Sequence, residues 1–223
     1  MAKIRRVAAS VAAPARTPRR RRAPETARTE LMDAAETLFA EAHPSAVGLK
    51  DVAREAGVSH ALITHYFGTY GGLIEATLER RLRALRAKVI ARLGDASAVE
   101  RPEELLALLF DALEDPVHLR LVRWLIGGER DSSPHVFQDR GLTAIATQVA
   151  RAIAPPGDAT APALVEKIEL ALITAVSAAY GYALSKRGLA ASVGRRPSRE
   201  LDAQVQRTLA DMLRAYLRPA PPS

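Results

Sequence analysis

Residues 49–67 read LKDVAREAGVSHALITHYF, and Gly57 and Ser59 divide this stretch into two short helices. Val52, Ala56, Val58, Ile63 and Tyr66 are its apolar positions. Two helices crossing steeply about a tight turn bring those five side chains into one small core. Ala53 falls where the helices approach most closely, and a larger side chain there would push them apart. Gly57 ends the first helix in a left-handed conformation, which a residue without a Cβ adopts at little cost. Ser59 is expected to cap the second helix by accepting a backbone N–H. Taken together the pattern predicts a helix-turn-helix, the motif that places its second helix in the DNA major groove.

Outward from the turn, a helix over about 25–42 carries Leu31, Ala34, Ala35, Leu38, Phe39 and Ala42 on one stripe, which roofs the two short helices. These span about 49–56 and 60–67. On the second, Ile63 and Phe67 face inward and His60, Ala61, Thr64 and His65 outward. The chain is expected to divide into a disordered basic arm (1–24), a three-helix DNA-binding domain (25–72), a larger helical ligand-binding and dimerisation domain (73–218) and a short tail (219–223).

The run from Leu31 to Leu73, with LMDAAETLFAE, DVAREAGVS and the closing HYF, resembles the N-terminal domain of the TetR family of transcriptional regulators. The resemblance implies that His60, Ala61, Leu62 and Thr64 read base edges. It implies that His65, Tyr66, Thr69 and Tyr70 hold phosphates, with Lys50 and Ser59 belonging to the same DNA-binding surface. Three positions depart from the family pattern. His43 stands where a glycine usually ends the first helix, and Gly48 where Ser or Thr usually caps the second. The lysine that normally follows HYF is replaced by Gly68-Thr69-Tyr70. Tyr70 offers one neutral hydrogen bond and cannot release a counterion as lysine does.

The composition suits packed helices. Of 223 residues 48% are hydrophobic and only 4% aromatic, so the core must be built mostly from Leu, Ala, Val and Ile, and few alternating β-branched runs appear. The fold class expected is all-α. Absence of cysteine excludes disulfides, thiolate zinc sites and thiol redox sensing, and fits a cytoplasmic protein. The charge-free run from Leu170 to Ser185 falls short of the roughly 20 residues that cross a bilayer, so a buried helix is expected there and no membrane partner. Eight basic residues and no acid precede Glu25, so the net charge of +7 leaves −1 for the remainder. Arg19, Arg20, Arg21 and Arg22 are the dense part of that arm. Either they lie along phosphates beside the reading helix, replacing the missing lysine, or they form an incidental solvated tail.

Beyond residue 73, helices are expected over about 73–93, 103–114, 116–127, 134–154, 162–187 and 198–217, with a possible hinge at Gly71-Gly72. Ala171, Ala175, Ala178 and Tyr182 on one of the last two helices, with Leu201, Val205, Leu209, Met212 and Tyr216 on the other, form the candidate homodimer surface. The resemblance implies a four-helix bundle between symmetry mates, hence a roughly palindromic operator. The large residues available to line a pocket for an apolar or aromatic effector are Phe110, Leu113, His118, Leu121, Trp124, Leu125, Phe137 and Tyr180. Each has an ordinary core role as its alternative.

The five histidines (His43, His60, His65, His118, His135) lack metal-ligand spacing, and neither a phosphate loop nor a nucleophile–base pair is evident, so neither metal, cofactor nor enzymatic activity is expected. The leading expectation is a homodimeric repressor released from DNA by a small molecule. The alternative is a helical small-molecule binder that touches DNA only non-specifically, through its arm.

Overall fold

The computed structural model describes residues 24–127, 140–154 and 162–218. The arm with Arg19 to Arg22, the pocket candidate Phe137 and the tail 219–223 lie outside the described residues. Among the described residues every regular element is helical: α1 (Pro24–Glu41), α2 (Leu49–Glu55), α3 (His60–Phe67), α4 (Tyr70–Leu93), α5 (Pro102–Glu114), α6 (Pro116–Gly127), α7 (Gly141–Ile153), α8 (Pro162–Ser192) and α9 (Arg199–Leu217). Short 3-10 turns at Pro44–Ala46 and Ala96–Val99 precede α2 and α5.

The stripe on α1 buries Leu31, Ala34, Ala35 and Phe39 together with Met32, and these meet Val52, Ala53 and Ile63 in one cluster. Between α2 and α3 the turn is built as its residues dictate. Gly57 has φ +63°, its N–H donates to the Arg54 carbonyl at 3.2 Å, and the Val58 N–H donates to the Ala53 carbonyl at 2.9 Å. This is the paired closure that a left-handed residue allows at a helix C-terminus. Both N-caps differ from the simplest expectation. Gly48 has no side chain to offer, so Asp51 reaches back and accepts the Gly48 N–H at 2.9 Å. Ser59 has the extended backbone of a cap, but its hydroxyl makes no capping hydrogen bond. Its side chain stands exposed instead.

α4 begins at Tyr70, three residues before its expected start, because Thr69 caps it by accepting the Gly72 N–H at 3.0 Å. The Gly71-Gly72 pair thus lies in a capped first turn. Gly72 is there for space: a Cβ on it would overlap the Phe67 carbonyl oxygen. α4 then runs on for 24 residues to Leu93. Its Arg80 pairs with Asp33 and Glu36 of α1, both at 2.7 Å, and Arg81 pairs with Glu36 at 2.8 Å and with Asp115 at the start of α6.

α7 starts at Gly141; residues 134–139 of the longer expected helix lie outside the described residues. α8 outruns expectation, continuing through Gly188 to Ser192 over 31 residues. It is long and apolar enough to cross a membrane by length and composition, yet only 28% of its most apolar window is buried. The expectation of a buried helix is corrected accordingly. One face, with Ile168, Ala171, Ala175 and Ala179, packs inside the subunit. The other leaves Leu170 and Ile173 each 51% exposed.

Candidate nucleic-acid interface and ligand cavity

α3 is held from below by Ile63, which is fully buried, while Val58, Tyr66 and Phe67 pack at the margin of the same cluster. The opposite face presents His60, Ala61, Thr64 and His65, all exposed, and Ser59, Lys50 and Thr69 are exposed beside it. Leu62 is half-buried. Thr64 donates its hydroxyl to the His60 carbonyl at 3.3 Å, and His65 stacks edge-on against Tyr66 at 5.2 Å. An eight-residue helix packed on its inner side against α2 and α4, with its outer side exposed, can lay that outer side in a groove.

Tyr70 sits differently from a phosphate-holding residue. Its ring lies edge-on to Phe39 and Trp124, and its hydroxyl donates to the Pro44 carbonyl at 2.6 Å. Burial, followed by the nearby Asp51 carboxylate, drives its pKa well above the ordinary tyrosine value. The side chain therefore joins α1, α4, α6 and the turn before α2, and its hydroxyl has a protein partner. Arg28 of α1, absent from the sequence reading, lies over the Phe67 ring at 5.4 Å. It brings a cation to the C-terminal end of α3, and only the tertiary fold puts it there.

A cavity of about 440 Å³ lies among α4, α5, α7, α8 and α9. Each helix turns one stripe towards it: Leu82, Leu85, Arg86 and Val89 from α4, Leu105, Leu106 and Leu109 from α5, Leu142, Ile145 and Val149 from α7. Ile168, Ala171, Leu172, Ala175, Val176 and Tyr180 of α8 and Leu213 and Leu217 of α9 complete the apolar wall. Of the seven described residues among the pocket candidates, Tyr180 lines this cavity and the other six do not. Leu121 and Leu125 are buried in the cluster beneath the helix-turn-helix, with Trp124 packed against it. Phe110 packs on Leu106, Ala175 and Leu209 and lies 6.4 Å from the Tyr182 ring. Leu113 is buried outside the wall. These are large residues that fill space, whereas the cavity opens where Ala171 and Ala175 leave it unfilled. Both alanines had been assigned to the dimer face. Leu201 and Leu209 of that same set are also buried within the subunit, and Tyr182 donates to Asp202 at 2.8 Å. Met212 and Tyr216 remain 64% and 48% exposed, and the Tyr216 ring lies under the Lys167 ammonium of α8 at 5.4 Å.

His118 is 2% exposed and shares a hydrogen bond of 2.7 Å with the Tyr180 hydroxyl, immediately behind the cavity wall. Burial and the Arg81 cation outweigh Asp115 and bring its pKa down to about 4, so the ring is neutral at pH 7. Burial pushes Tyr180 up to about 12. Two residues along α6, Arg120 donates to the Phe39 and Ala40 carbonyls at 2.6 and 2.7 Å. One helix therefore touches both the cavity wall and the last turn of α1.

Residues 31–77 match the family described as bacterial regulatory proteins, tetR family. An uncharacterized HTH-type transcriptional regulator of Mycobacterium tuberculosis is 33% identical over 89 residues, which are 40% of this chain and 43% of that protein. The HTH-type transcriptional regulator BetI of Cronobacter sakazakii is 34% identical over 100 residues, 44% of this chain and 50% of BetI. The chain thus spans about half the length of the curated relatives it matches. Among solved structures, a TetR transcriptional regulator from Rhodococcus sp. RHA1 superposes with a TM-score of 0.53 at 18% identity, over 87% of this chain and 98% of that one. A tetR-family regulator from Streptomyces coelicolor gives 0.51 at 21% identity, over 87% of each chain. These two likenesses concern the fold.

Proposed function

We propose, from the premise that the N-terminal domain of this chain belongs to the tetR family of bacterial regulatory proteins, that the protein is a homodimeric, ligand-responsive transcriptional repressor acting in the cytoplasm. The observation that carries this reading is the exposed row His60, Ala61, Thr64 and His65 on a helix anchored by the fully buried Ile63. A side-chain row of that kind meets base edges, while Lys50, Ser59, Leu62, Tyr66 and Thr69 flank it and the Arg19 to Arg22 arm supplies phosphate charge. Tyr70 supports the assembly from behind rather than from the DNA side.

The dimer forms through the outer face of α8 and α9, where the large apolar side chains Leu170, Ile173, Met212 and Tyr216 stand about half or more exposed and would be covered by a second copy. Two such subunits present two reading helices to a palindromic operator. The effector enters the cavity, and α6 carries its arrival to α1 through Tyr180–His118 at one end and Arg120 at the other. A ligand favouring a different α6 position lowers operator affinity by a coupling of about 1–3 kcal/mol, and DNA disfavours ligand equally.

Selection of bound sequences from a random DNA pool tests the reading. A two-fold symmetric consensus, bound in preference to scrambled duplex at moderate salt and lost in Thr64→Ala with His60→Ala, is the expected result. Absence of any consensus favours the second reading, a helical small-molecule binder whose DNA contact is non-specific and runs through the arm. The observation on its side is that Gly68-Thr69-Tyr70 offers no cation after α3, and the Tyr70 hydroxyl is committed to Pro44. Deleting residues 1–22 should weaken operator binding and flatten its salt dependence if the arm supplies the missing charge. An unchanged salt slope refutes that role.

A further inference from the structure

Residues 186–199, KRGLAASVGRRPSR, join α8 to α9 and hold five basic residues without an acid, although the chain from Glu25 onward has a net charge of only −1. Taking those five from it leaves −6 for the rest of the folded body. Lys186 is neutralised by Asp202. Arg187, Arg195, Arg196 and Arg199 all stand exposed, and among the described residues none of them pairs with a carboxylate. Arg195 donates to the uncharged Gln204 side chain at 2.8 Å. The turn that carries them is closed on both sides. Gly194 has φ +70° and its N–H donates to the Ala191 carbonyl at 3.0 Å, while the Arg195 N–H donates to the Ala190 carbonyl at 2.8 Å. Ser198 then caps α9 by accepting the Leu201 N–H at 3.1 Å.

The direction of α8 decides where this tip lies. Near its start Ile168 packs with Leu93, the last residue of α4, whereas Leu184 packs against the cluster that holds Val52, Ile63 and Leu73. α8 therefore runs back along α4, towards the helix-turn-helix. It continues past Leu184 to Ser192, roughly 12 Å further at 1.5 Å per residue. Four unpaired guanidinium groups are thus carried to the end of the body that also bears α3. A duplex docked on His60, Ala61, Thr64 and His65 meets an acidic body there except at this tip, and Gly68-Thr69-Tyr70 supplies no cation of its own.

We infer that the turn between α8 and α9 is a second phosphate-binding surface for double-stranded DNA, with Arg195, Arg196 and Arg199 as its principal charges. This rests on the proposed homodimer, in which α8 and α9 meet their counterparts and bring two such tips together near the two-fold axis. They then face the phosphates between the two half-sites, which the reading helices leave uncovered. Such contacts carry no base preference; they add affinity and salt dependence. Direct touch is not required of every guanidinium, since at physiological salt a charge acts over about 8 Å.

The test is titration of the full chain, arm included, into labelled duplex between about 50 and 200 mM salt. Two duplexes are used: one selected by the parent protein from a random pool, and a scrambled one. Arg196→Gln with Arg199→Gln removes two charges per subunit and no contact within the protein. Its plot of log affinity against log salt should be shallower by about 2 to 4 in a dimer, at about 0.9 per phosphate contact. Affinity at the lower salt should fall by about tenfold or more on both duplexes, with their ratio kept within about twofold. Arg196→Lys with Arg199→Lys should keep the parent slope, and the thermal unfolding of both variants should match the parent. His60→Ala with Thr64→Ala should do the opposite, losing the preference and keeping the slope. An unchanged slope on both duplexes in the glutamine variant overturns the inference and leaves the regulator reading to the parent's own preference. A parent without preference refutes that reading, while the slope on scrambled duplex still decides this one. Exposed Leu189 and Val193 flank the tip, so vesicles of phosphatidylglycerol and phosphatidylcholine are the competing surface. Vesicle binding lost in the glutamine variant with its DNA slope unchanged overturns the assignment to DNA.

Discussion

Acidification should strike this protein at His118. The ring is enclosed by Tyr180 of α8, lies in the repulsive field of Arg81 on α4 and is drawn the other way by Asp115 at the start of its own helix. The balance lowers its pKa to about 4 in the folded chain. An unfolded histidine titrates near 6.5. Between these values the unfolded chain holds a proton that the folded chain refuses, so stability is fully present above about pH 6.5 and falls as the pH drops towards 4. At about pH 4.5 the loss attributable to this one ring is about 2.5 kcal/mol, at 1.36 kcal/mol per pKa unit and allowing for partial protonation of the folded state. The assay is urea unfolding at about pH 7 and about pH 4.5, at one fixed protein concentration, because self-association of any kind adds to apparent stability. His118→Gln retains a polar group opposite Tyr180 and does not titrate. It should be less stable than the parent at pH 7, and its loss on acidification should be smaller by about 2 kcal/mol. The difference between the two losses removes the carboxylates common to both proteins. Parallel losses in parent and variant would refute the account of a buried neutral ring, since no other group changes with the substitution.

Three further outcomes follow from the same geometry. Gly72→Ala drives a methyl into the Phe67 carbonyl and should cost about 1–3 kcal/mol in thermal or urea unfolding, with operator affinity lost in a gel-shift assay because the α3–α4 junction must open. Arg120→Met removes two charge-assisted bonds to the last turn of α1 and should destabilise by about 1.5–3 kcal/mol; if the α6 route carries the signal, it also weakens the effect of ligand on DNA binding, measured as the shift in operator affinity between ligand-free and saturated protein. Ile173→Glu places a charge on the exposed face of α8, and sedimentation should then give a monomer that keeps its helical circular dichroism; a dimer that survives the change removes α8 from the interface.

The helix-turn-helix was legible because its determinants lie close together along the chain. Gly57 takes its left-handed angle and the closing bonds run back only three to five residues, so the turn needs no distant partner to be read. The inward and outward faces of α3 follow from helical spacing alone: Ile63 is buried, while Thr64 and His65 are exposed. The misplaced details involve competition between local partners. Ser59 had the sequence of a capping residue and makes no capping bond, and Tyr70 gave its hydroxyl to Pro44, 26 residues away. A resemblance assigns a role to a position, whereas a hydrogen-bond partner is settled by what the fold brings within reach.

The cavity and the outer face of α8 show where sequence reading stops. Leu121, Trp124 and Leu125 have the size to line a pocket, and that same size lets them fill the junction between α6 and the helix-turn-helix. The cavity stands where small side chains on α8 face stripes from four other helices, and no single stripe distinguishes a wall from a core. Likewise α8 has apolar residues around its circumference, so periodicity alone does not say which side its own subunit covers. The amino-acid order by itself determined the helices, the reading turn and the uneven charge, because each depends on neighbours within a turn or two. Only the tertiary structure decided which apolar surfaces meet, which are left bare and where Arg86 lies over Gly141, because packing and exclusion of water act between segments far apart along the chain.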